Sequence, residues 1–163
     1  MRRLHPEDSD TVLPRGRLYG LPRGGWPAFE HLAKEADFEV DLVRFAAGGE
    51  IPLHDHPGMT GVSACVGGTL RISSFDRAGE AGRGTVLIRD LGQRTLAPGE
   101  ASSFTAASGN VHRVWADAPA RLIDVFTPPY GSPLAGKTTW YRVEDAPAAG
   151  RGGVLVASAY EPN

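Results

Sequence analysis

Apolar and polar residues alternate with a period of two along much of this chain. Phe38-Glu-Val-Asp-Leu-Val-Arg-Phe45 alternates imperfectly, as a half-buried strand does. Further extended segments follow at Ile51–His56, Met59–Val66 and Thr69–Phe75, then at Thr85–Arg89, Arg94–Leu96 and Ala101–Thr105. The last ones are Val111–Ala116, Arg121–Phe126 and Thr138–Val143. Turn signals separate them: Gly48-Gly49, Pro57-Gly58, Gly67-Gly68, Pro98-Gly99, Ser108-Gly-Asn110 and Asp117-Ala-Pro119. Asp76 to Gly84 reads as a polar loop. One stretch has a different period. Trp26–Ala36 carries Pro27 at a helix N1 position, with Phe29, Leu32 and Ala33 on one face and Glu30, Lys34 and Glu35 on the other, so it predicts a short helix.

Many short strands at this spacing predict an all-β sandwich or barrel, and connections too short for helical crossovers make the sheets mostly antiparallel. A jelly-roll β-barrel satisfies the pattern. The expected organisation is an N-terminal extension with one short helix over residues 1–37, a barrel over 38–143, and a C-terminal extension over 144–163 that packs on the barrel or trails it. Within that tail, Ala146–Gly153 reads as a loose connector.

Composition narrows the function classes. With 163 residues the chain suits one domain. Lys+Arg 17 against Asp+Glu 19 leaves no electrostatic footprint for nucleic acid or an acidic membrane. A single cysteine excludes an internal disulfide framework. The charged N-terminus, without an apolar core, reads as no secretory signal, and no stretch has the length of a membrane span. The expectation is a soluble cytoplasmic monomer that binds neither nucleic acid nor membrane.

Five histidines remain. In a strand, residues i and i+2 face the same way, so His54 and His56 project together and Asp55 points away. A third imidazole, His112, lies several strands downstream and can return to the same cavity. Three neutral imidazoles suit zinc, iron, nickel or copper, and no carboxylate lies at the right parity to replace one. His5 and His31 lack such a context and are expected to face solvent. Cys65, mid-strand among small residues, reads as a small buried hydrophobe.

Gly48-(five residues)-His54-Asp55-His56-(three)-Thr60-(six)-Gly67 resembles the first cupin motif, with Thr60 where many cupins carry a metal-binding Glu. Gly109-Asn-Val-His112 resembles the second. Ile51-Pro-Leu-His-Asp-His-Pro-Gly-Met59, Gly68-Thr-Leu-Arg-Ile72 and Leu122-Ile-Asp-Val-Phe-Thr-Pro-Pro-Tyr130 together resemble the cysteamine (2-aminoethanethiol) dioxygenase and plant cysteine oxidase family of thiol dioxygenases. The resemblance covers about Phe38 to Val143. It implies a mononuclear Fe(II) held by His54, His56 and His112, with Asp124 and Tyr130 at positions that bear on substrate and oxygen handling. It implies addition of both atoms of O2 to a small thiol, or to an N-terminal cysteine, giving a sulfinic acid. Thr138 stands where the animal enzymes often have a cysteine, so no cysteine–tyrosine cross-link is expected. If the substrate bears a carboxylate, Arg44, Arg71 and Arg113 are candidate partners. Another three-histidine cupin enzyme, either a carbon–carbon cleaving dioxygenase or an isomerase, is the alternative, as is a non-catalytic cupin that binds a metal or small ligand.

Overall fold

The computed structural model describes residues 25–82, 84–144 and 153–160. These form eleven strands: β1 (Ala28–Lys34), β2 (Glu39–Phe45), β3 (Glu50–His54), β4 (Thr60–Gly67), β5 (Leu70–Gly82), β6 (Thr85–Leu96), β7 (Ala101–Phe104), β8 (Val111–Trp115), β9 (Ala120–Thr127), β10 (Trp140–Val143) and β11 (Val154–Tyr160). There is no helix among the described residues, and so none long and apolar enough to cross a membrane. All strand pairs are antiparallel. One sheet has the order β1-β2-β9-β4-β7, and the other closes on itself as β10-β11-β6-β5-β8-β3.

Strand parity explains how two cores coexist. Leu53, Phe75, Ile88, Val111, Tyr141 and Ala157, one from each strand of the closed sheet, fill its interior. The neighbouring positions on β3 and β8, His54 and His112, therefore point the other way, toward the five-stranded sheet. Between the sheets lies a second core that includes Val43, Ile51, Leu70, Leu96, Leu122 and Trp140. A third cluster of Met59, Phe104 and Phe126, with Tyr130 and Ala135 against it, caps the same space.

The helix predicted over Trp26–Ala36 is instead strand β1, the edge of the five-stranded sheet. A helix of that length is marginal by itself. Here the exposed edge of β2 offers a hydrogen-bond ladder, and the register brings opposite charges together: Lys34 stands opposite Glu39, and on the diagonal Arg44 Nη2 lies 2.6 Å from Glu30 Oε2. Helix propensity is a weak prior against such a ladder. Of the loop expected over Asp76–Gly84, Asp76–Gly82 is also strand. β5 and β6 form a long, bulged hairpin in which the β5 arm over Asp76–Gly82 is exposed or half-buried, so polarity there marks exposure and not the absence of pairing. The C-terminal tail contributes β11, inserted between β10 and β6. His5 and most of the Ala146–Gly153 connector lie outside the described residues.

Candidate metal centre

His54, His56 and His112 converge. One ring nitrogen from each lies within 4.8 Å of the other two, and all three residues are buried. β3 and β8 bring them together, since His54 stands directly opposite His112 in the register. His56 follows just past the end of β3, where Pro57-Gly58 turns the chain. Gly58 has φ +76°, and a Cβ there would meet the Leu134 carbonyl oxygen at 2.4 Å, so the turn requires glycine.

Asn110 and Asp55 lock this segment from either side. The His56 amide donates to Asn110 Oδ1 at 2.9 Å, and Asn110 Nδ2 donates to the His56 carbonyl at 2.9 Å and to the Thr105 carbonyl at 3.0 Å. Asp55 points away from the histidines, as parity predicts. Its carboxylate accepts from the Thr139 amide at 2.7 Å and the Tyr141 hydroxyl at 2.7 Å.

The ring chemistry fits a divalent cation. Burial holds His54 down to about 4 and His112 down to about 3, and it holds His56 well below its ordinary range, so all three are neutral at pH 7. His54 Nδ1 donates to the Pro52 carbonyl at 2.7 Å, and the His112 ring donates to the Gly109 carbonyl. Each of these bonds takes the ring's one proton and leaves the other nitrogen with a free lone pair. His56 Nε2 and His112 Nε2 are 3.3 Å apart. Two nitrogens each about 2.1 Å from one ion lie about 3.0 Å apart at a right angle and about 3.4 Å apart at the tetrahedral angle. The observed separation falls between these.

Around the imidazoles the walls are aromatic. Phe104 and Phe126 stack on His56 with centroids 4.9 Å and 5.1 Å away, and Trp140 lies 4.9 Å from His54. Tyr130 reaches the centre: its hydroxyl is 2.5 Å from His56 Nδ1. With His56 Nε2 turned to a metal, the proton sits on Nδ1 and the Tyr130 oxygen accepts it. Such a partner fixes a ligand's orientation and raises its basicity. Asp124 lies on the same inward face of β9 as Phe126, and its hydrogen-bond partner is the Ser63 hydroxyl. Burial, together with the facing Asp41 carboxyl, pushes Asp124 up to about 7 despite that bond. Burial, with the Asp124 charge adding to it, holds the Tyr130 hydroxyl protonated. Ser63, Ser74, Ser102 and His112 border a cavity of about 10 Å³, room for about one water.

Asn110, Phe104, Phe126 and Trp140 are the site neighbours that sequence reasoning missed. Asn110 sits inside the Gly109-Asn-Val-His112 motif, which was the available signal. Stacking between distant strands has no comparable trace in the sequence. His31 does not face solvent freely. It is half-buried, with Nδ1 2.9 Å from Asp41 Oδ1. Arg44, Arg71 and Arg113 are paired at the surface with Glu30, Asp117 and Glu50, so none of them is held toward the imidazoles. Cys65 is buried in the core, as expected.

A jelly-roll β-fold that brings three buried imidazoles together between its sheets is that of a cupin, and solved structures share the fold. KdgF from Halomonas sp. superposes with a TM-score of 0.50 at 20% identity, covering 63% of this chain and 78% of that one. An RmlC-like cupin from Shewanella frigidimarina gives 0.50 at 18%, covering 66% and 81%. The PCO_ADO family model matches residues 28–154, and the chain belongs to that family. It is 29% identical over 168 residues to 2-aminoethanethiol dioxygenase of Homo sapiens, covering 88% of this chain and 62% of that protein. It is 32% identical over 155 residues to plant cysteine oxidase 1 of Arabidopsis thaliana, covering 85% of this chain and 50% of that protein. The chain thus spans between half and two thirds of the length of these relatives.

Proposed function

We propose that this protein is a thiol dioxygenase with a non-haem Fe(II) centre, held by His54, His56 and His112. The reaction is RSH + O2 → RSO2H: two sulfur–oxygen bonds form, the O–O bond is lost, and sulfur supplies the four electrons. The observation that carries this reading is the convergence of three neutral, buried imidazoles in a chain of the PCO_ADO family. An iron(II) ion bound there would supply the redox chemistry that joins oxygen to sulfur and would favour the thiolate form of a coordinating thiol.

The chain's own residues do the rest. Neutral ligands leave the full dipositive charge at the centre. Tyr130 holds the His56 ring in place, and the Phe104 and Phe126 rings shield the cavity from water. Asp124 and Tyr130 are assigned to substrate and oxygen handling. Asp124 is a buried carboxyl that can accept a proton or pair with a substrate ammonium. That pairing favours a cysteamine-like thiol or an N-terminal cysteine, in which an amine stands near sulfur and no carboxylate has to be met. The protein is assigned to the cytoplasm and to a monomeric state.

An oxygen-electrode panel on the Fe(II)-loaded protein tests this, with cysteamine, free cysteine, 3-mercaptopropionate and a peptide with N-terminal cysteine. Uptake is expected with an amine-bearing thiol, with a product heavier by two oxygen atoms. No uptake with any of the four would refute the proposal.

A further inference from the structure

The β1–β2 hairpin carries a second group of ionisable side chains, to which the function above assigns nothing. His31, Glu39 and Asp41 each offer a ligand atom within 4.8 Å of the others. By ligand type they could take a cation, yet they already have one: Lys34 Nζ is 3.3 Å from Glu39 Oε2. What these charges hold is a peptide unit. Lys34 Nζ donates to the Tyr130 carbonyl at 2.7 Å, and the Tyr130 amide donates to Glu39 Oε2 at 3.1 Å.

Both polar backbone atoms of Tyr130 are therefore gripped by opposite charges from one hairpin. Glu39 is only 5% exposed, and His31 Nδ1 faces its other oxygen at 3.7 Å. Tyr130 has no strand ladder of its own, since it lies beyond the end of β9. At the far end of the same residue the hydroxyl meets His56 Nδ1. A displacement of about 1 Å would take that bond out of its working range.

We propose that Lys34 and Glu39 are positioning residues: by clamping the Tyr130 backbone they hold its hydroxyl against His56, and through it they orient His56 at the metal centre. This rests on the reading of the three histidines as metal ligands. The hairpin that makes the five-stranded sheet's edge is thereby part of the site.

The test is a Co(II) titration of the full chain, reading the dissociation constant and the visible ligand-field bands. Wild type is compared with Tyr130→Phe, Lys34→Met, Lys34→Arg, Glu39→Ala, Glu39→Gln and the Lys34→Met/Tyr130→Phe double variant. Tyr130→Phe is expected to weaken binding about tenfold, in keeping with loss of a ligand's outer partner, and to shift the bands. Lys34→Met should weaken binding about three- to tenfold with the same band shift, and Lys34→Arg should recover to within about twofold of wild type. Glu39→Gln, which keeps an acceptor, should retain more affinity than Glu39→Ala. In the Tyr130→Phe background, Lys34→Met should add less than about a twofold loss, because both act through one hydroxyl. Lys34 is 47% exposed, so its loss leaves the core intact.

Equal weakening by Lys34→Met in both backgrounds would overturn the proposal, because the residue would then act through the fold alone. Wild-type affinity and bands in Lys34→Met, alongside a shifted Tyr130→Phe, would overturn it too, and so would an unshifted Tyr130→Phe. Failure of wild type to bind Co(II) at all is the separate signature that the metal-centre reading itself is wrong.

Discussion

Asn110→Ala is the perturbation whose cost follows most directly from the geometry. The Asn110 side chain bridges the segment that carries His56 and the loop before β8, accepting from the His56 amide and donating to the His56 and Thr105 carbonyls. Truncation deletes all three; the two part-buried bonds of 2.9 Å are each worth about 1 kcal/mol net, the exposed 3.0 Å bond to Thr105 adds little, and a part-buried amide left without a partner costs about 1 kcal/mol more. The expected loss is about 3 kcal/mol. At about 2–4 °C per kcal/mol for a chain of this size, the melting temperature should fall by about 6–12 °C. Asn110→Asp sharpens the test. It keeps an oxygen for the His56 amide but turns a second oxygen toward carbonyls, so it should lose at least as much as alanine. Thermal denaturation of the metal-free protein, followed by circular dichroism, reads both values. An alanine variant melting within about 2 °C of wild type, or an aspartate variant melting above the alanine one, would refute the bridging role.

Three other outcomes follow from the same structure. Gly61→Ala would put a Cβ 2.5 Å from the Phe104 ring and 3.1 Å from Phe126. It should cost about 1–3 kcal/mol through overpacking and weaken metal binding by moving the rings stacked on His56; unchanged melting and affinity would contradict this. Asp124 stands at about 7 in the folded protein against 3.8 unfolded, so the folded state holds more protons between these values and its stability falls as pH rises through that window. Asp124→Asn removes that titration, so its melting temperature relative to wild type should climb from pH 4.5 to pH 8; a constant or falling difference would count against it. Tyr141→Phe removes the 2.7 Å bond to Asp55 Oδ2 and should destabilise the fold by about 1–3 kcal/mol, measurable by urea denaturation, with wild-type stability as the contrary result.

Much of the site was legible in the sequence because strand parity is a local property. His-Asp-His in an extended segment sends two imidazoles one way and the carboxylate the other, and the structure keeps that arrangement: Asp55 bonds Tyr141 on the adjacent strand β10 while the histidines face the other sheet. The jelly-roll was legible because turn residues punctuate short alternating strands. Trp26–Ala36 was not, because a sequence with helical spacing became a strand once β2 offered an open edge and matched charges. The Asp76–Gly84 tip was read as loop since its pairing is backbone-driven and its side chains are solvated. Closure of the second sheet by β11 depends on contacts between residues far apart in the chain, and local pattern does not encode these. His31 illustrates the same limit: its partner Asp41 lies ten residues away, across a hairpin that was not foreseen.

The most direct test of the central claim is the iron content of the protein after anaerobic loading with Fe(II) and gel filtration, for wild type and His112→Ala. On the proposed reading His112 is one of three ligands, and its loss would leave two imidazoles to hold the ion. The expected result is about one iron per wild-type chain and almost none in the variant. Equal iron retention by His112→Ala, with its fold intact, would contradict the assignment of the metal to these three histidines.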